Sequence, residues 1–258
     1  MNTALPQVSV VGAGRMGEGI ALAFMFAGLP VTVIDIKPRD AAAQARYFRE
    51  VEEHLRGELA TLVRLGSLDA AQAEHAMSHV RLCDRGDSGA YLQDAAVVFE
   101  AVPEVLELKT RTFAWLSEAC AADTVIASTT STFLVTQLAA LVTHPQRFVN
   151  AHWLNPAFLM PLVEVSRSAA TCPQVLQRLM ALLKRIGKVP VQCSQAAGYI
   201  VPRIEALAMN EAARMAEEGE ASAEDIDTAV RVGPGLRFSV LGLLAFLEED
   251  LEHLSNGQ

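Results

Sequence analysis

Little in this chain points to a metal, a membrane or a nucleic acid. The four cysteines, Cys83, Cys120, Cys172 and Cys193, are scattered, with no Cys-x-x-Cys pair. That spacing argues against a structural zinc or a dithiol redox motif and suits a reducing cytosol. No metal is expected. Basic residues are outnumbered, 21 against 30 acidic, for a formal charge of -9. An acidic surface repels polyphosphate backbones, which sets nucleic acid aside as a partner. A small anion held at a helix N-terminus is not set aside, because a local field there outweighs net charge. The apolar run from Val240 to Leu247 falls far short of the ~20 residues that a membrane span needs. No basic leader precedes the first strand-like run, so no signal peptide is expected, and the location expected is the cytoplasm.

What is present is core-forming material. Hydrophobic residues make up 51% of the 258 and charged residues 20%, enough for one large or two modest domains. Val8-Ser9-Val10-Val11 reads as a strand. A glycine-rich turn follows, then a helical stretch from Glu18 to Ala27, stopped by Gly28, and a second strand from Val31 to Ile36. This is the minimal parallel unit. Helical composition runs from Ala41 to Ala76, broken at Gly66, where Gly66-Ser67-Leu68-Asp69 reads as a turn and a new helix cap. Further strands are expected over Ala96–Val102, Thr124–Ala127, Arg147–Ala151, Leu162–Val165 and Val189–Val191, with helices over about Pro103–Ala121 and Thr132–Leu141. Val175, Leu179, Leu182, Leu183 and Ile186 give one apolar helical face. After Ser194 only helices are expected. The fold class expected is therefore α/β: a Rossmann-type doubly wound sheet over residues 1–194, then a smaller all-α domain over 195–258.

The turn is Gly12-Ala13-Gly14-Arg15-Met16-Gly17. Gly-x-Gly-x-x-Gly is a weak signal alone. Here it follows a strand, opens a helix and precedes a second strand that ends in an acid. Gly12 allows the tight turn, Gly14 lets the backbone approach a pyrophosphate, and Gly17 lets helix and sheet pack closely. The whole run, Arg15 and Met16 included, is the candidate cofactor loop, since a helix N-terminus offers unpaired N–H groups to phosphates. Asp35 lies eighteen residues after Gly17. Its carboxylate is suited to the adenosine ribose hydroxyls and would repel a ribose phosphate, which favours NAD over NADP. Lys37 and Arg39 are the groups nearby that can pair with such a phosphate.

His152-Trp153-Leu154-Asn155-Pro156 follows a strand, and Glu164 sits within the next one. A His152–Glu164 hydrogen bond would fix the imidazole tautomer and favour a base near neutral pH, which is what removal of an alcohol proton during hydride transfer requires. A purely structural pair is the other reading of these two residues.

Taken together, these motifs resemble the L-3-hydroxyacyl-CoA dehydrogenase family, with gulonate and carnitine dehydrogenases as related forms. The stretches that carry the resemblance are Val10 to Gly17, Glu100-Ala101-Val102-Pro103-Glu104 with Lys109, Ala127 to Thr132, His152 to Pro156, Leu162 to Val165 and Gly198-Tyr199-Ile200-Val201. The resemblance implies NAD as cofactor, His152 as acid/base with Glu164 orienting it, and Ser131 donating a hydrogen bond to the substrate's 3-oxygen. It implies Glu104 and Lys109 by the nicotinamide ribose and Asn155 in the substrate pocket. Read from the residues alone, Ser131 is a helix N-cap, Glu104 a first-turn acid and Lys109 a solvated lysine. The substrate implied is a short-chain 3-hydroxyacyl-CoA. The alternatives are a free hydroxy acid, or a chain that holds NAD without catalysis. Pro202 and Thr129 stand where the family usually has Asn. After Leu247 the chain runs into Glu248-Glu249-Asp250-Leu251-Glu252-His253, so a shortened or altered C-terminal domain is expected. Ile200, Ile204, Leu207, Ala208 and Met215 share one helical face, which together with the resemblance implies a homodimer.

Overall fold

The computed structural model describes residues 5–244. The last residues of the Val240–Leu247 stretch, the acidic run after it and the first four residues of the chain lie outside that range. The chain divides into two compact units, Met1–Tyr199 and Ile200–Gln258. The division falls a few residues beyond the junction expected at 194.

The first unit opens with β1 (Gln7–Val11), α1 (Arg15–Phe26) and β2 (Val31–Asp35), followed by α2 (Ala41–Arg64) and α3 (Ala70–Met77). The break between those two helices comes where Gly66 adopts a positive φ of 73°. Asp69 then caps α3 in a reciprocal box with Gln72, which satisfies two otherwise unpaired amides. Next come β3 (Val80–Asp84), α4 (Gly89–Gln93), β4 (Ala95–Glu100), α5 (Leu106–Ala119), β5 (Val125–Ser128) and α6 (Val135–Ala139). The unit closes with β6 (Phe148–Trp153), β7 (Leu162–Ser166), α7 (Pro173–Arg185) and β8 (Val189–Cys193).

The eight strands form one sheet in the order β3-β2-β1-β4-β5-β6-β7-β8. All neighbours are parallel except β6 and β7. The first six follow the doubly wound dinucleotide-binding order, with the crossover reversing between β1 and β4. Two apolar layers cover the two faces. Val8, Val10, Val33, Phe99 and Trp153 pack with α1, α2 and α7 on one side. Val11, Ile34, Val98, Ile126 and Phe148 pack with residues of α4, α5 and α6 on the other. Strand residues thus alternate between two cores, which is why these strands read as continuous apolar runs.

Two expectations from the sequence need correcting. The strand β3 and the short α4 after it were not anticipated. β3 is the sheet edge, and its residues Val80-Arg81-Leu82-Cys83-Asp84 are only partly covered, so its apolar signal is diluted by Arg81 and Asp84. The helix expected over Thr132–Leu141 is limited to Val135–Ala139, and Leu134, not Ser131, stands at its cap.

The second unit holds α8 (Val201–Glu217), α9 (Ala223–Val232) and α10 (Pro234–Phe238) among the described residues. Pro202 lies in the first turn of α8, where the N–H it lacks would have no helical partner. Ser222 caps α9 by accepting from the Asp225 amide. No helix of the described residues is long and apolar enough to cross a membrane.

Candidate active site

The glycine loop sits where β1 and β4 part. Gly12 has φ 109°, and a Cβ there would lie 2.6 Å from the Ala101 carbonyl oxygen. A Cβ on Gly17 would lie 1.9 Å from the Gly12 oxygen. Both positions therefore admit only glycine. Gly14 differs, with nothing within 4 Å of an added Cβ. Its backbone faces open space, and α1 starts immediately after it with no side-chain cap. Unpaired amides beside an open glycine fit a pyrophosphate. Arg15 is exposed, while Met16 is partly buried against the core.

Asp35 ends β2 and is buried at 5% exposure. Its carboxylate accepts from Lys37 N at 3.2 Å, Arg39 Nε at 2.8 Å and Gln44 Nε2 at 3.2 Å. Arg39 also lies over the Tyr47 ring, and Tyr47 donates to the carbonyl of Ala13 in the glycine loop, 2.6 Å away. The acid and the loop are thus tied together. Asp35 fits a ribose diol, and Arg39 is engaged with Asp35 rather than presented to a phosphate.

Across the reversal point, Glu100 ends β4 and is fully buried. Lys109 on α5 reaches both its oxygens, at 2.8 and 3.0 Å, and Glu104 Oε2 at 3.2 Å. Ser128 donates to Glu100 at 2.5 Å and the Val102 amide does so at 2.9 Å. Burial pushes the Glu100 carboxyl up, against the pull of Lys109 and these donors. Glu104 is less covered. Partial burial works to raise its carboxyl too, but the Thr130 hydroxyl, Lys109 and the Ser131 amide together hold it below the usual carboxylate range. Glu104 Oε1 accepts from Thr130 Oγ1 at 2.7 Å and from Ser131 N at 2.6 Å. So Lys109 is not a solvated lysine, and Ser131 is held by its backbone, leaving its hydroxyl clear of the helix cap.

His152 on β6 and Glu164 on β7 are directly opposite in the antiparallel register. The imidazole Nδ1 lies 2.9 Å from Glu164 Oε2, with both residues buried. A carboxylate on Nδ1 fixes the tautomer, leaving Nε2 as the nitrogen for proton exchange. Asn155, in the loop after β6, lines a cavity of about 190 Å³ with Arg15, Glu18, His54, Glu58 and Phe158. That loop is held from beneath by Lys188, whose ammonium donates to the carbonyls of Ala157, Phe158 and Met160 at 2.8 to 3.2 Å. Desolvation lowers the Lys188 pKa.

The structure therefore gathers the expected residues into three groups. Glu104, Lys109 and Ser131 form one, His152 and Glu164 a second, and Asp35 stands with the glycine loop in a third. Asn155 shares its cavity with Arg15. Sequence reasoning missed Glu100, Ser128, Tyr199 and Lys188 as parts of the framework. A buried acid ending an apolar strand was the available signal for Glu100. For Lys188 there was none.

The chain matches two family models end to end. Residues 7–196 match 3-hydroxyacyl-CoA dehydrogenase, NAD binding domain, and residues 198–256 match its C-terminal domain. It is 33% identical over 243 residues to the hydroxyacyl-coenzyme A dehydrogenase of Sus scrofa, covering 94% of this chain and 76% of that one. It is 31% identical over 242 residues to a 5-formyl-3-hydroxy-2-methylpyridine 4-carboxylate 5-dehydrogenase of Mesorhizobium japonicum, covering 93% and 74%. Among solved structures, the (S)-3-hydroxybutyryl-CoA dehydrogenase of Ralstonia eutropha superposes with a TM-score of 0.78 at 31% identity, covering 90% of this chain and 78% of that one.

Proposed function

The chain belongs to the 3-hydroxyacyl-CoA dehydrogenase family and is an NAD-dependent oxidoreductase; from that premise we propose that it oxidises a short-chain 3-hydroxyacyl-CoA to the 3-oxoacyl thioester. The observation that carries this reading is the buried His152–Glu164 pair at the carboxyl end of the parallel strands, where doubly wound sheets place their ligands.

Bound NAD supplies the hydride acceptor for the C3 hydrogen. His152 Nε2 takes the hydroxyl proton as the C3–O bond gains double-bond character. Glu164 stabilises the resulting imidazolium through Nδ1–H. The Ser131 hydroxyl donates to the 3-oxygen, and Asn155 shapes the acyl pocket. Glu104 would hold the nicotinamide ribose, and Lys109, only 1% exposed, would serve it by holding Glu104 in place. Asp35 would hold the adenosine ribose hydroxyls.

The test is turnover of acetoacetyl-CoA with NADH against NADPH. We expect reduction with a clear preference for NADH. A preference for NADPH would move cofactor choice from Asp35 to Lys37 and Arg39. A second reading, a hydroxy acid without CoA, has its own support. The cavity that Asn155 lines carries Glu18 and Glu58 against Arg15 and His54, an acidic wall that suits a phosphorylated carrier poorly. Turnover of free hydroxy acids with none of CoA esters would select it.

We also propose a homodimer built on the second unit and a cytoplasmic location. The dimer is supported by α8, which has no buried residue and exposes Ile204 and Leu207. Light scattering on dilute protein tests it, and a clean monomer mass would refute it. The location is supported by the scattered cysteines.

A further inference from the structure

Tyr199 is the last residue of the first unit, and its backbone is unusual. Gly198 and Tyr199 have φ of 85° and 50°, and Tyr199 is the one non-glycine residue with positive φ among the described residues. Bulky L-residues seldom adopt that region unless the surroundings hold them there. Here they do. The Tyr199 ring stacks on the His152 imidazole, with centroids 4.4 Å apart and planes within 16°. The phenol donates to the Thr130 carbonyl oxygen at 2.8 Å. Thr130 in turn bonds Glu104 and precedes Ser131. One side chain therefore touches both the ring of His152 and the loop that presents Ser131.

We propose that Tyr199 is a positioning residue, its aromatic face raising the basicity of His152 and its hydroxyl fixing the Ser131 loop. This rests on His152 being the acid/base. A protonated imidazole is favoured over the face of an aromatic ring, so the stack acts in the same sense as Glu164 on the opposite nitrogen. The remaining titratable groups facing this corner are Glu104 before α5, Glu164 on β7 and Cys193 on β8. Burial pushes the phenol well above its ordinary range, so Tyr199 stays a neutral donor.

The experiment uses the full chain and two substitutions. Tyr199→Asn removes the ring but suits the left-handed backbone. Tyr199→Phe keeps the ring and loses only the hydroxyl. The His152 ring is followed by NMR titration, assigned by its loss in His152→Ala, beside pH profiles of kcat and kcat/KM. In Tyr199→Asn the His152 ring should titrate at lower pH than in the wild type, its ring protons should lose their ring-current shift, and kcat should drop about tenfold. Tyr199→Phe should keep the wild-type titration and raise KM for the acyl substrate several-fold. An unchanged His152 titration in Tyr199→Asn overturns the proposal, as does a Tyr199→Phe variant that titrates like Tyr199→Asn. Should Tyr199→Asn fail to fold, the ring-current shift and KM of Tyr199→Phe decide alone, and a wild-type KM refutes the hydroxyl's role. Full turnover by His152→Ala would sink the acid/base assignment instead, and the titration would still report whether the ring sets the basicity.

Discussion

Lys109 and His152 each meet a buried carboxylate at the carboxyl end of the sheet, yet the two pairs are built differently. Lys109 directs its ammonium to both oxygens of Glu100, to Glu104 and to the Val102 carbonyl. All three protons are engaged and the side chain is sealed from water. His152 gives one ring nitrogen, Nδ1, to Glu164, and in the proposed reaction the other exchanges the proton. A saturated pair holds a framework. An imidazole with one nitrogen engaged can pass a proton on at the other. The two carboxylates are equally buried; what differs is the partner, a permanently charged ammonium in one pair and an imidazole that can gain or lose a proton in the other.

The comparison is most strongly tested by Lys109→Met. It leaves the Glu100 carboxylate buried without its cation, and breaking a buried pair this way costs about 3–5 kcal/mol. Chemical denaturation at neutral pH should show that loss. The sign with pH follows from Glu100. A carboxyl raised in the folded state stabilises below its unfolded value and loses that contribution as pH rises. The deficit of the variant should therefore shrink in acid. A variant as stable as the wild type at neutral pH would end the framework reading.

Glu164→Gln addresses the other pair. The amide keeps a hydrogen bond to Nδ1 but cannot stabilise imidazolium by charge. We expect kcat/KM to fall about tenfold, equivalent to about 1.4 kcal/mol, with NAD affinity held. Intact turnover would make His152–Glu164 a structural pair like the first.

Glu104→Gln gives the smallest effect. The lowered carboxyl of Glu104 contributes stability above its unfolded value and loses it as pH falls through the folded value. With the side chain 36% exposed, solvent screening limits this to at most about 1 kcal/mol. Acid unfolding of the variant should lack that share, and an identical acid midpoint would show that Glu104 lies outside the network.

Much of this arrangement was legible in the residues. Glycines 12, 14 and 17 stood in a strand–turn–helix context that only a few structures satisfy, and Asp69 carried its own cap signal. His152 and Glu164 came from two neighbouring short strands, where an antiparallel return sets them opposite each other. Other parts were hidden for physical reasons. The β3 strand is a half-exposed edge with charged side chains, so its period is weak. Ser131 looks like a cap because Ser and Thr runs usually are, but the short helix starts later and Thr130 turns the chain instead. Tyr199 belongs with the sheet through contacts to residues far away in sequence, which no local pattern announces.

Lys188 grips the loop after β6 through main-chain oxygens alone. Every amino acid carries such an oxygen, so this grip does not depend on which side chains the loop displays. Leu159 and Met160 point into solvent on the same segment. Their identities can change while Asn155 keeps its place. A fastening of this kind separates where the loop runs from what it presents, so its outermost side chains can be exchanged without moving the main chain beneath them.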